Sequence, residues 1–83
     1  PRSNTVRLLL HTDLQTAQRE LPDSVGVFQP SEGGVLLHSQ TDHLPWFARQ
    51  LTRLPFAFEV QEPPALRQAL RACAQALLDQ HPA

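Results

Sequence analysis

The stretch "FEVQEPPALRQAL", residues 58–70, decides how this chain is read. Alternating apolar residues lead up to Val60, the run halts at Glu62-Pro63-Pro64, and a Leu- and Ala-rich pattern starts at once. Each proline fixes φ at about −65° and drives the residue before it out of the helical region. The triplet is therefore a stiff hinge, with Pro64 near the first helical position, where a missing N–H is harmless. Beyond it, Leu66, Ala69, Leu70, Cys73 and Leu77 fall on one side of a helix running to about Gln80. Two readings of the hinge stand open: a firm helix start, or a corner that aims the last helix at something outside the domain.

Working back toward the N-terminus, "FAFEVQ" (56–61) is a strand with Phe56, Phe58 and Val60 inward, entered through the helix-stopping Pro55. "TDHLPWFARQLTRL" (41–54) places Leu44, Phe47, Ala48 and Leu51 at helical spacing, with Thr41 or Asp42 as the cap and Pro45 in the first turn. "SVGVFQP" (24–30) and "VLLHSQ" (35–40) form a hairpin around "SEGG" (31–34), whose glycines tolerate positive φ. "TVRLLLH" (5–11) is a strand with Val6, Leu8 and Leu10 on one face and Arg7, Leu9 and His11 on the other. A short helix follows, with Leu14, Ala17 and Leu21 in line and Pro22 at its end. It is capped by Thr12 at capping-box distance from Gln15, or by Asp13. The order is strand–helix–strand–strand–helix–strand–helix. It predicts an α+β fold: a ferredoxin-like βαββαβ sandwich, with two helices on one face of an antiparallel sheet and an additional C-terminal helix.

Eighty-three residues make one domain. A chain of this length buries only roughly 60–65% of the surface it exposes when unfolded, so a partner surface would add to a thin stability margin. The 41% hydrophobic and 18% charged content suits a soluble globule rather than a disordered chain. Apolar runs reach three residues, too short to cross a membrane, and no secretory signal is visible. The chain begins with Pro1 and has no methionine, which predicts a fragment or an excised domain of a longer protein. The lone Cys73 cannot form an internal disulfide and fits a reducing compartment; its place on the apolar stripe predicts a small buried hydrophobe. Net charge is −1 and every basic residue is arginine, a poor balance for gripping nucleic acid.

Catalytic constellations are hard to find. "SEGGV" lacks the spacing and lysine of a phosphate loop. Histidines 11, 38, 43 and 81 occur singly, without zinc-ligand spacing, so no metal or cofactor is expected. The first and third strands carry no aromatic on which an RNA base could stack. "HTDLQT" offers neither the glycine nor the arginine that an acylphosphatase-like loop would need. The expectation is a protein that is not an enzyme. Interaction candidates are clearer. Arg7, His11, His38 and Glu59 belong to the sheet face that the helices leave uncovered, where they could contact a ligand or a partner. Trp46 stands partly off its helix stripe as a partner anchor, and Arg67 and Arg71, four apart, mark the polar side of the last helix.

The combination of "HLPWFARQLTRL" with "FAFEVQEPPALRQALRACAQALL" resembles the C-terminal extension, or WCX domain, of WYL-domain transcriptional regulators. The family's closing signature maps onto Trp46, Leu51 and Leu54, then Val60, Glu62, Pro63, Pro64, Leu66 and Arg67, and "VRLLLHTDLQTAQREL" fits its first strand and helix. The resemblance covers residues 5 to about 79. One departure is Leu54-Pro55, where the family commonly has glycine. The resemblance implies a regulatory and dimerisation module of a bacterial, cytoplasmic regulator. Its partners would be its own WYL and winged helix-turn-helix domains and a second copy, with DNA contacted by the N-terminal domain. The alternative is an ACT-like small-molecule sensor using Arg7, His11, His38 and Glu59.

Overall fold

In a computed structural model, which describes residues 3–83, the chain forms a four-stranded antiparallel sheet with three α-helices. The strands are β1 (Asn4–Leu10), β2 (Gly26–Ser31), β3 (Gly34–Thr41) and β4 (Phe58–Glu62); the helices are α1 (Leu14–Glu20), α2 (Leu44–Leu51) and α3 (Pro64–Gln80). The spatial order is β2-β3-β1-β4, so the two strands richest in leucine and valine lie in the middle. Strict alternation sends Val6, Leu8 and Leu10 of β1, and Val35 and Leu37 of β3, into one core. That core is completed by Ala17 and Leu21, by Phe47, Ala48 and Leu51 of α2, and by Leu66 of α3.

The hairpin is closed by the Ser31–Gly34 pair around Glu32-Gly33, with Gly33 at φ +85°. At Gly34, φ is +154° and an added Cβ would overlap the Leu10 carbonyl, so glycine is required twice over. Before the hairpin, Asp23–Val25 make a single 3-10 turn rather than the start of a strand, and the buried Ser39 hydroxyl donates to the Val25 carbonyl. The second strand is therefore shorter than the sequence predicts.

Of the two caps open for α1, Asp13 is the one used: its carboxylate accepts from the Thr16 N–H at 2.7 Å. That hydrogen bond to the ionised form holds the Asp13 carboxyl below its ordinary range. The expected cap of α2 is corrected. Thr41 remains in β3 and its hydroxyl accepts from the His43 N–H, while His43 Nδ1 accepts from the Trp46 N–H at 2.9 Å. An imidazole in its acceptor tautomer thus fills the role expected of Thr41 or Asp42. The helix also stops at Leu51, earlier than the predicted Leu54, and strand β4 begins at Phe58, later than the predicted Phe56. Phe56 still packs against the core from the connection.

The hinge has more structure than two prolines. Arg7 pairs with Glu62 and Leu8 with Val60, so Gln61 is an extra residue that bulges β4 just before the turn. The Glu62–Pro63 peptide is cis, and Pro63 is the residue preceding α3. Across the corner, Arg67 Nε donates to the Val60 carbonyl at 3.2 Å, tying the first turn of α3 to the strand it leaves. Helix α3 then packs on α2 and β4.

Candidate interaction sites

Three surfaces are built by this arrangement. The first is the sheet face opposite the helices. Arg7 lies across from His38 in the β1–β3 register, and Leu9 lies between Leu36 and Glu59. His11 and Glu59 approach at 3.6 Å, while His38 Nε2 and Gln29 Oε1 are 3.2 Å apart. The two histidines therefore have separate partners. Register places them four residues apart along the strands, about 13 Å. Neither histidine contacts the other: His11 stands beside Glu59 and His38 beside Gln29. Among the described residues, no group of three or more His, Cys, Asp or Glu side chains is placed to hold a metal ion.

The second surface is α3 itself. Seventeen residues at 1.5 Å each give a helix about 25 Å long. Only its first half is docked: Leu66 is fully buried, and Ala69 and Leu70 pack partly against the core. Cys73 is half-buried, a correction to the buried position expected of it. From Ala74 onward every residue is exposed, including Leu77 at 42% and Leu78 at 67%. The apolar stripe read from sequence thus runs past the edge of its own domain. Arg71 is exposed beside Leu78, whereas Arg67 is already engaged by the hinge.

The third surface was not anticipated. A cleft of about 360 Å³ opens between the C-terminal end of α1 and the length of α2. Leu21, Pro22 and Val25 form one wall, and Phe47, Leu51 and Leu54 form the floor. Trp46 stands at its edge with 56% of its surface exposed. Sequence singles out Trp46, but the cleft beside it depends on the spacing between two helices, which no local pattern reports.

The chain is thus a mixed sheet-and-helix domain whose apolar tail helix outruns its core. Residues 3–78 match the WCX domain family, and the chain belongs to that family, which is associated with WYL-domain regulators. Neither the curated proteins nor the solved structures contain a match. No helix among the described residues is long and apolar enough to cross a membrane.

Proposed function

We propose that this domain is the C-terminal regulatory module of a bacterial WYL-domain, winged helix-turn-helix transcription factor, and that it helps hold the factor as a homodimer. Its body is a ferredoxin-like sandwich, a reading supported by the strand order β2-β3-β1-β4 with all neighbours antiparallel. The observation that carries the function is the half-docked α3. A hinge fixed by Pro63, Pro64, the Gln61 bulge and the Arg67–Val60 hydrogen bond directs a helix whose Leu77 and Leu78 remain in water. Fully burying an exposed leucine is worth about 1.5–3 kcal/mol, so covering the part of Leu77 and Leu78 still in water gains a fraction of that at each, a useful sum at an interface between protein surfaces. The net charge of −1 leaves DNA contact to the N-terminal domain. The module acts in the cytoplasm, by contact and without a reaction centre of its own.

Sedimentation of the intact regulator, with this domain present and deleted, tests the reading. Loss of the dimer and an altered operator response are expected on deletion. An unchanged oligomeric state together with an unchanged operator response would overturn it.

A further inference from the structure

The cleft beside α2 is more than a gap between helices. Along one flank of α2, Trp46, Gln50 and Arg53 succeed each other at i, i+4 and i+7, so an indole, an amide and a guanidinium stand in a row. The row is ordered: Arg53 Nη1 donates to Gln50 Oε1 at 2.9 Å, which fixes the guanidinium at the cleft while leaving its other N–H donors unused by that bond. Opposite lies a continuous apolar wall from Leu21, Pro22 and Val25. Among the described residues Arg53 makes no ion pair with a carboxylate, and the one acidic side chain in the lining, Glu20, approaches Arg19 at 3.7 Å. The volume lies in the range of small-molecule pockets, about 300–1,000 Å³.

We infer that this cleft is a binding site for a small apolar monocarboxylate, its planar or branched body seated against Trp46, Phe47 and the Leu21–Val25 wall and its carboxylate held by Arg53. The chemistry follows from the lining. A neutral apolar molecule would leave the guanidinium unmatched. A polyanion would find a single cation and face Glu20. A carboxylate accepts the parallel N–H pair that an arginine presents, and the apolar floor supplies the remaining contact area. This site is distinct from the α3 tail and stands whether or not the domain dimerises a regulator.

Trp46 is the only tryptophan, so its fluorescence reports on this cleft alone. The 83-residue chain is titrated with phenylacetate, phenylacetamide and phenethylammonium, and then the variants Arg53→Gln and Gln50→Ala are titrated with phenylacetate. Saturable quenching or a blue shift is expected with phenylacetate. The amide should bind at least about tenfold more weakly, since it keeps one carbonyl acceptor but lacks the second acceptor oxygen and the negative charge that match the guanidinium. Arg53→Gln should weaken phenylacetate by a similar factor without moving the thermal midpoint, because Arg53 is exposed. Gln50→Ala, which frees the guanidinium to wander, should weaken it less. Overturning results are an absence of saturable response to phenylacetate, equal binding of acid and amide, tighter binding of the ammonium compound through Glu20, or an Arg53→Gln variant that folds and binds as wild type.

Discussion

Replacing Leu66 by alanine, compared with the same change at Leu78, separates the docked half of α3 from the presented half. Leu66 is fully buried at the meeting of α3 with α2 and β4, and it is the only fully buried residue of the helix. Truncating a buried leucine costs about 2–5 kcal/mol, the transfer of the lost methyls plus the cavity left behind. A chain of 83 residues is expected to hold only about 4–12 kcal/mol in total. Helix α3 can also peel away to relieve the cavity, so a loss of about 3 kcal/mol is expected. For a domain of this size that lowers the thermal midpoint by at least about 10 °C. Leu78, 67% exposed, should give a change within about 0.5 kcal/mol on truncation. Urea titration followed by far-ultraviolet circular dichroism, on both variants and wild type, measures the contrast. A Leu78→Ala loss as large as that of Leu66→Ala would refute the placement of the tail in solvent. A Leu66→Ala loss under about 1 kcal/mol would refute the anchor.

Three further outcomes follow from local geometry. Gly34→Ala should cost several kcal/mol or prevent folding, since both φ and the Leu10 carbonyl oppose a side chain, whereas Gly33→Asn, with open space around it, should be tolerated; urea midpoints distinguish the two. His43→Ala should lose about 1 kcal/mol of helix capping, and His43→Asp should recover or exceed the wild-type thermal midpoint, because aspartate accepts from the N–H groups of the first turn better than imidazole. Asp13 has a depressed carboxyl pKa in the folded state, so its contribution is fully present above the unfolded value and is lost as pH falls through the folded one. Asn caps a helix as well as Asp but does not titrate, so the stability of wild type relative to Asp13→Asn should decline on acidification from about pH 6 to about pH 2, followed by thermal midpoints.

Much of the fold was legible because period and punctuation agreed. Val6, Leu8 and Leu10 alternate as a half-buried strand must, Phe47, Ala48 and Leu51 recur as a helix stripe must, and Pro22 and the Pro63-Pro64 pair mark the end of α1 and the start of α3. Three features lay outside that reading. The His43 cap depends on a tautomer and on the backbone angles of the preceding loop, neither of which is written in residue type. The Gln61 bulge is a matter of register between β1 and β4, and register also sets His11 and His38 four residues apart along the strands. Arg67 looked like a solvent-facing arginine until the hinge brought the Val60 carbonyl within its reach. Of the interaction sites, the tail stripe was visible as a pattern, but only the packed structure shows where burial ends along it. The Trp46 cleft comes from the distance between α1 and α2 and has no local signature.

Amide hydrogen exchange along α3, in the isolated domain and in the intact regulator, tests most directly whether the tail is offered to other protein. Exposed backbone without tertiary cover opens readily, so amides of residues 74–80 should exchange fast in the isolated domain while those around Leu66–Leu70 are protected. In the intact regulator the same distal amides should become protected. Distal amides that exchange equally fast in both would contradict the account.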